Sequence, residues 1–461
     1  MSPRHLTLVG LLLHGGVLLL WVALLWQAFY SRGLSFWSTG IAYTLYDTVL
    51  LVFVGWQTLS LRRPLPLPVV GPRPTLGIVV AAYNEAAVLP LTLRGILGQL
   101  DPAEQIVIAD DGSDDATAAM LNQRFGLSPA AEGYLSAPSP QYPSLRWLRL
   151  PHGGKARALN AALLQLDTEV VLTIDADTLL AADASLAMRR AFAARPGLVA
   201  AGGILTPVCG KKLRNRFFQW FQNYEYIRNF LSRFAWMQLH SLLLISGAFA
   251  GFRREALLAV GGFDPECLVE DYELVHRLQR HAIDNKLGWE VQIIGSAHAQ
   301  TDAPGRLGDF LRQRRRWFAG FLQTQYWNRD MTGNRHYGKL GTVMLPVKAI
   351  DTLQPVYGLT AFFLLLYLIA TGRLSVLLPV AGIIAAKTFI DLLFHLWSIR
   401  LYRRWTGLRS TTNAASAMLA ALAEPFSFQL LRHLGAALGW YYFLTGRQRW
   451  GRQKRSALIR P

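Results

Sequence analysis

The sequence has 461 residues, of which 52% are hydrophobic and only 16% are charged, a composition too apolar for an ordinary soluble protein. The formal net charge is +18, and arginines stand at the edges of apolar runs, which is typical of membrane-flanking segments and disfavours a nucleic-acid-binding surface. Only Cys209 and Cys267 are present, which excludes a disulfide framework and a C-x-x-C metal motif and favours a reducing compartment.

Two apolar runs near the N-terminus predict membrane-spanning helices within residues 1–63. The first, 8–30, would be about 34 Å long as a helix, which is enough to cross a bilayer. The second, 41–61, follows after a short loop. A linker rich in proline and arginine, 64–74, then ends the helix and predicts a cytoplasmic boundary, because basic residues favour that side.

From residue 75 onward the pattern changes to short apolar runs, rich in β-branched residues, that alternate with helical stretches. The predicted strands are 76–82, 105–109, 145–150 and 170–174. Strands that alternate with helices predict an α/β (Rossmann-like) domain with a mainly parallel sheet, which we assign to 75–300. In such sheets, ligands bind beyond the carboxyl ends of the strands.

Acidic motifs follow several of these strands, where carboxylates face a ligand. They are Tyr83-Asn84-Glu85, Asp110-Asp111, Asp175-Ala176-Asp177 and, much later, Glu270-Asp271. A D-x-D pair suits a hard divalent cation, because Mg²⁺ takes one or two carboxylates and completes its shell with water and phosphate oxygens. Taken alone, the same pair also fits two solvated turn residues.

A glycine-rich loop, Gly153-Gly154, precedes Lys155 and the start of a predicted helix. Glycines let a ligand approach the backbone closely, and a cation at a helix start suits an anionic ligand. Many loops carry such a sequence, so this motif indicates a phosphate contact only in combination with the others.

A basic-aromatic motif, residues 313–317, lies in a helical stretch. Gln313, Arg316 and Trp317 share one face at i, i+3 and i+4 spacing. Arginine can grip a diphosphate with two parallel hydrogen bonds, and tryptophan offers a flat surface to a sugar ring. The neighbours Arg314 and Arg315 are expected to rest on lipid headgroups.

Two segments beside the α/β domain are predicted at the membrane surface. The stretch 213–245 mixes aromatic and basic residues at helical spacing, which fits a core helix or an amphipathic interfacial helix, and we favour the interfacial one. The stretch 301–340, which carries the Q-x-x-R-W motif, is likewise predicted to form interfacial helices.

The C-terminal region, 341–445, predicts three or four further spans, from the apolar runs 343–370, 374–399 and 414–444. The last run is broken at Glu424-Pro425. Two short spans or a re-entrant pair around this break would keep the basic tail, 446–461, on the cytoplasmic side, which the charge distribution favours.

The order and spacing of these motifs, from Thr75 to Trp317, resemble the membrane-bound processive branch of the family 2 glycosyltransferases. That branch includes the synthases of cellulose, hyaluronan, chitin-like oligomers and poly-N-acetylglucosamine. The resemblance implies a GT-A catalytic domain inserted between α-helical transmembrane segments, and a multi-pass protein of the bacterial inner membrane with that domain in the cytoplasm. It implies a UDP-sugar donor, a polysaccharide or glycolipid acceptor and contact with membrane lipids, and it leaves an export partner open.

The resemblance also assigns roles to individual residues. It implies nucleotide and donor contacts for Tyr83, Glu85, Asp111, Lys155, Asp175, Gln313 and Arg316. It implies that Mg²⁺ or Mn²⁺ binds to Asp175 and Asp177. It implies acceptor contacts for Trp317, Gly247 and Glu270, and a general base at Asp271.

The implied reaction is a single displacement at the anomeric carbon, which inverts its configuration and adds the sugar to a growing β-linked polysaccharide that is also extruded across the membrane. One rival is a non-processive transferase that glycosylates a membrane lipid. Another is a transporter or membrane anchor whose α/β domain binds a nucleotide without catalysis.

Overall fold

The computed structural model describes residues 5–31, 33–62, 71–408 and 414–446, and a single eight-stranded sheet lies at its centre. The strands are β1 Leu76–Ala82, β2 Gln105–Asp110, β3 Leu145–Arg149, β4 Val170–Asp175, β5 Thr178–Leu180, β6 Leu198–Val208, β7 Phe249–Arg253 and β8 Glu290–Asp302.

The strand order is β3-β2-β1-β4-β7-β6-β8-β5. The first four strands in this order are parallel, and β6 and β8 are also parallel to each other. Strand β7 runs antiparallel to both β4 and β6, and β5 runs antiparallel to β8. The prediction of an α/β domain with a mainly parallel sheet is therefore confirmed, with antiparallel pairs in the second half.

Helices flank this sheet on both faces and extend the chain at both ends. Within the described residues they are α1 Leu8–Tyr30, α2 Ser38–Gln57, α3 Leu89–Leu97, α4 Thr117–Phe125, α5 Lys155–Leu164, α6 Ala184–Ala194, α7 Leu213–Gln238, α8 Arg254–Ala259, α9 Glu270–Asp284, α10 Leu307–Trp327, α11 Leu345–Ala370, α12 Leu374–Thr406, α13 Ala414–Ala423 and α14 Phe428–Leu444.

The core of the α/β domain lies between the sheet and these helices. Strand β1 is buried along almost its whole length because β2 and β4 pair with its two edges and helices cover its faces. Helix α5 packs on β1 and β2, while α6 and α7 pack on β6 and β8. Since β2, β1 and β4 are neighbours and parallel, their carboxyl ends open at one edge of the sheet.

Within the described residues, four segments are long and apolar enough to cross a membrane, by length and composition, and they indicate a membrane protein. They are α1, the segment 33–62 that contains α2, the segment 340–370 that contains α11, and α12. Helix α12 continues to Thr406, beyond the predicted apolar run 374–399, so Arg400, Arg403 and Arg404 lie within its last turns.

The last predicted apolar run breaks at the expected place, with a 3-10 turn at Glu424–Phe426 between α13 and α14. Helix α13 has 10 residues, about 15 Å, and α14 has 17. Neither is among the four full-length segments, and α14 packs along α10 and α11. Most of the predicted linker and nearly all of the basic tail lie outside the described residues.

Helix α7 is buried more deeply than an interfacial helix would be. Phe221 and Tyr224 are each only 2% exposed, although Phe217 near the N-terminus is 41% exposed. The helix contacts β6 and β8 on one side and α2, α12 and α13 on the other. The membrane-surface interpretation of this stretch is therefore wrong for most of the helix, because its aromatic side chains pack against protein and join the sheet to the apolar helices.

Candidate active site

Predicted site residues meet at the carboxyl ends of three neighbouring strands. Tyr83 directly follows β1, Asp111 directly follows β2, and Asp175 is the last residue of β4. The sheet order places these ends side by side, at the edge where α/β sheets bind ligands.

An ion cluster joins three elements at this edge. Lys155, the first residue of α5, places its Nζ 2.7 Å from Asp175 Oδ1 and 2.9 Å from Glu270 Oε1. Glu270 is the first residue of α9, so the cluster ties a strand end to two helix starts. Burial alone would lower the pKa of Lys155, but the carboxylates of Asp175 and Glu270 outweigh it and raise that pKa, so the ammonium stays charged.

Asp271, the predicted general base, lies in the first turn of α9 beside this cluster. Its Oδ2 accepts a hydrogen bond of 2.7 Å from the backbone N–H of Gly247, and its Oδ1 accepts one of 2.9 Å from the N–H of Tyr272. A Cβ at Gly247 would stand 3.1 Å from Asp271 Cβ, so this approach favours glycine. The structure therefore fixes the orientation of this carboxylate.

Burial and the neighbouring charge of Glu270 raise the pKa of Asp271, and Lys155 with the two backbone N–H groups partly offsets the effect. A carboxylate that acts as a base must be ionised, so activity should fall as pH drops through this raised pKa. We expect the acid limb of kcat/KM above about pH 4, the ordinary range for aspartate. Glu270→Gln should shift that limb to lower pH, and a limb that stayed in place would contradict this assignment.

Asp111 holds the glycine-rich loop. Its Oδ1 accepts hydrogen bonds from the N–H groups of Gly153 (2.8 Å) and Gly154 (3.0 Å), and its Oδ2 lies 2.9 Å from His152 Nδ1. Gly112 has φ +73°, and a Cβ there would lie 2.7 Å from the His152 backbone nitrogen. The carboxylate thus positions the loop that carries Lys155, and its direct contact with a nucleotide remains a prediction.

His152 is a site residue that the sequence did not single out. Its ring stacks on Tyr83 with centroids 4.3 Å apart and an interplanar angle of 19°. Its side chain is 58% exposed, so the ring pair borders solvent at the predicted nucleotide contact. Glu85, two residues beyond Tyr83, is 9% exposed. The only sequence signal for His152 was its place next to Gly153.

The D-x-D residues lie at the end of β4 and in the turn that leads to β5. Asp177 is 6% exposed, and the Asp175 side chain is 25% exposed. Among the described residues no group of three or more His, Cys, Asp or Glu side chains could hold a metal ion alone. Two carboxylates still fit a magnesium or manganese ion that takes its other ligands from a diphosphate and water.

Helix α10 carries the Q-x-x-R-W residues and reaches the loop before Glu270. Arg316 Nη1 donates a hydrogen bond of 3.2 Å to the carbonyl oxygen of Leu268, and Trp317 packs against the apolar cluster that contains Val269. The Oε1 atom of Gln313 is buried without a hydrogen-bond partner in the part of the chain that the structure describes. The structure thus connects Arg316 and Trp317 to the segment that bears Asp271.

Gln323, which lies two turns beyond Arg316 on α10, is a second site residue that the sequence did not single out. Its Oε1 accepts a hydrogen bond of 3.0 Å from the Leu268 N–H, and its Nε2 donates one of 3.0 Å to the Glu266 carbonyl oxygen. Gly320 lets the loop approach, because a Cβ there would stand 2.4 Å from Val269 Cγ2. Helix α10 therefore supports the loop through several contacts.

The expectation that Arg314 and Arg315 rest on lipid headgroups is wrong for Arg314. Its side chain is only 10% exposed, and its Nη2 lies 2.6 Å from Glu225 Oε2 on α7. The guanidinium of Arg315 lies 4.6 Å from the ring centroid of Tyr442 on α14. Both arginines face neighbouring helices, because α10 packs between α14 and the α/β domain.

Two family models match the chain across the α/β domain and beyond. The model described as "Glycosyl transferase family 2" matches residues 77–261, and the one described as "Glycosyl transferase family group 2" matches residues 170–384. The chain therefore contains a family 2 glycosyltransferase domain. Lys155 and Asp175 of the ion cluster lie within the first match, and Glu270 and α10 lie within the second.

This glycosyltransferase is similar to a poly-β-1,6-N-acetyl-D-glucosamine synthase of Staphylococcus epidermidis, at 26% identity over 65% of the chain and 66% of the relative. It is similar to the synthase of the same name from Staphylococcus aureus (strain COL), at 25% identity over 63% of each chain. The chain thus spans just under two thirds of the length of these relatives.

Among solved structures, the glycosyltransferase is similar to a mannosyltransferase from Pyrobaculum calidifontis in complex with GDP-Man and Mn²⁺. The TM-score is 0.56 at 21% identity, and the match covers 85% of this chain and 99% of that one. At this identity the likeness shows the fold, and it identifies the catalytic domain as GT-A.

Proposed function

We propose that the chain is an inverting synthase that transfers a sugar from a UDP-sugar to the end of a growing β-linked polysaccharide. The observation that supports this most is the placement of Asp271, which backbone N–H groups orient beside the Lys155 ion cluster at the predicted donor site. The names of the relatives make UDP-N-acetylglucosamine the first donor to test.

In the proposed step, the acceptor hydroxyl oxygen forms a bond to the anomeric carbon while the bond from that carbon to the diphosphate oxygen breaks. Asp271 takes the hydroxyl proton, and the electron pair leaves with the diphosphate as UDP. Because the attack comes from the face opposite the leaving group, an α-linked donor gives a β-linked product. The positive charges of Lys155 and Arg316 stabilise the negative charge on the diphosphate.

Asp175 and Asp177 would hold a Mg²⁺ or Mn²⁺ ion together with the donor diphosphate. Such an ion supplies charge neutralisation to the leaving group. Asp175 holds Lys155 at 2.7 Å, so one carboxylate would serve both the ammonium and the ion.

We expect removal of divalent ions to abolish UDP release. Treatment with EDTA should lower the rate by at least about 100-fold, the order of magnitude for losing one main stabiliser of transition-state charge, and added Mg²⁺ or Mn²⁺ should restore it. A rate unchanged by EDTA would contradict the metal assignment. Asp177→Asn should raise the Mg²⁺ concentration needed for half-maximal rate, whereas Asp183→Asn, in the loop that follows β5, should leave it unchanged.

Extrusion of the product is part of the proposal, and ionisable side chains inside the apolar helices support it. Lys387 of α12 places its Nζ 2.7 Å from Asp47 of α2, and it also contacts Asp391. The hydroxyl oxygen of Tyr43 on α2 accepts a hydrogen bond of 3.4 Å from Gln354 Nε2 on α11. Such residues within membrane segments face the helix bundle and commonly mark a polar path.

The donor is tested with purified protein in lipid nanodiscs, by UDP or GDP release across a panel of nucleotide sugars. The proposal predicts release from a UDP-sugar, with UDP-N-acetylglucosamine the fastest. Release from GDP-mannose alone would overturn the donor assignment. Release from none of the nucleotide sugars would contradict the proposed function as a whole.

A further inference from the structure

A buried ion network lies behind the helix that carries Arg316 and Trp317. Its members are Glu225 and Arg228 of α7, Arg314 of α10, Glu424 of the turn before α14, and Arg432 of α14. Arg314 Nη2 lies 2.6 Å from Glu225 Oε2, Arg432 Nη1 lies 3.7 Å from Glu225 Oε1, and Arg432 Nη2 lies 2.7 Å from Glu424 Oε1. Arg228 also pairs with Glu424.

The carboxylates of this network are almost completely enclosed. The side chains of Glu225 and Glu424 are 4% and 6% exposed. A charge enclosed in this way is costly unless partners satisfy it, so each carboxylate holds its arginines in a defined place. Glu225 has one arginine from α10 and one from α14, which makes it the joint between the two helices.

Arg314 connects Glu225 to Trp317, the predicted acceptor contact. Its guanidinium carbon lies 4.6 Å from the ring centroid of Trp317 and 4.7 Å from that of Phe310, within the range of a cation–π contact. The guanidinium therefore fixes the indole from one side while Glu225 fixes the guanidinium. The indole of Trp317 also packs against the apolar cluster that contains Val269, so Arg314 is one of two contacts that orient it.

Helix α14 packs closely against α10. A Cβ at Gly435 would stand 2.5 Å from Arg314 Cβ, and one at Gly439 would stand 2.8 Å from Phe318 Cβ. The two helices thus meet through glycines, with little freedom to slide. Glu424 and Arg432 bring the break between α13 and α14 into the same ion network.

We propose that Glu225 is a positioning residue that acts through Arg314 to set the orientation of Trp317 toward the acceptor, and that couples this orientation to the C-terminal helix pair. The inference rests on the proposed function, because it assumes that Trp317 contacts the acceptor sugar. It adds a specific consequence: Glu225 governs acceptor use and chain extension without contacting either substrate.

The test is Glu225→Gln in the full chain in nanodiscs, with UDP-N-acetylglucosamine as donor and a soluble N-acetylglucosamine oligosaccharide as acceptor. The free energy of a cation–π contact such as that between Arg314 and Trp317 corresponds to about a tenfold change in a binding constant, here the one for the acceptor. We expect the acceptor KM to rise about tenfold and the products to become shorter. The donor KM and the slow acceptor-free hydrolysis of the donor should stay within about twofold, since the Lys155 cluster is untouched.

Two further variants separate positioning from a general loss of stability. Glu225→Asp keeps the charge and should recover much of the acceptor KM. Asp309→Asn removes the ion pair with Arg312 near the start of the same helix and should change neither KM. Equal shifts in donor and acceptor KM, or a fall in thermal stability with unchanged KM values, would overturn the proposal. If the wild-type protein transfers no sugar, the proposed function fails first, and that outcome is distinct from either result.

Discussion

Asp271→Asn should abolish sugar transfer while it leaves donor binding in place. The asparagine is isosteric, and its single carbonyl oxygen can still accept one of the two hydrogen bonds, the one from the Gly247 N–H, so the loop should keep its position. It cannot take a proton from the acceptor hydroxyl. General-base catalysis is typically worth about 10²–10⁴-fold, and we expect kcat to fall by that factor. The measurement is UDP release at saturating donor, with donor affinity from calorimetry.

The matched control is Asp284→Asn at the other end of α9, where the aspartate lies near the surface and contacts His336. It removes the same charge from the same helix and should leave kcat within about twofold of wild type, because a surface ion pair contributes little. Near-normal turnover by Asp271→Asn, or loss of donor binding with unchanged kcat, would show that the base has been assigned to the wrong residue.

Lys155→Met should give the second large effect, in both stability and rate. The ammonium balances Asp175 and Glu270 at once, and Asp271 lies beside them. Removing one partner of a buried ion pair costs about 3–5 kcal/mol in the free energy of unfolding. Loss of a positive charge aimed at the diphosphate should lower kcat by at least about 100-fold. Thermal unfolding and UDP release test the two effects separately.

Arg157→Met is the control for Lys155, because Arg157 lies in the same first turn of α5 and its side chain is exposed. It removes one positive charge near the loop without touching the carboxylates of the cluster. We expect nearly unchanged stability and kcat. A Lys155→Met variant that matched this control in both measurements would contradict the role of the ion cluster.

The first half of the fold was readable from the sequence because its strands are short, continuous apolar runs. Strands β1, β2, β3 and β4 all lie where such runs predicted them, and α1 coincides with the first apolar run. Strands β6, β7 and β8 were not predicted. Two adjacent glycines interrupt β6, and β7 pairs antiparallel between two distant strands, a contact that no local pattern encodes.

The candidate site was readable to the extent that motifs mark strand ends and helix starts. The family resemblance implied donor contacts for both Asp175 and Lys155, but it did not predict the ion pair between them. The pairing of Lys155 with Glu270, however, joins residues more than a hundred positions apart. Only the tertiary fold brings the start of α9 to the start of α5, so the sequence could not show this pairing.

Other site features depend on tertiary packing, which also explains the errors. Arg314 looked like a headgroup contact because helical spacing gives no information on whether another helix covers that face, and Glu225 of α7 covers it. His152 was overlooked because its partner Tyr83 follows a different strand. Gln323 has no sequence signal because its role depends on two hydrogen bonds to the backbone of the loop before Glu270.

The central claim, a family 2 synthase that extends a β-linked polysaccharide, is tested most directly by the product itself. Wild-type protein in nanodiscs is incubated with labelled UDP-N-acetylglucosamine and Mg²⁺, and the product is separated by length, digested with a β-specific glycosidase and checked for lipid. We predict chains of many sugars that the β-specific glycosidase degrades, and we predict no chains from the Asp271→Asn variant. A single sugar attached to a lipid, or an α-linked product, would contradict the account.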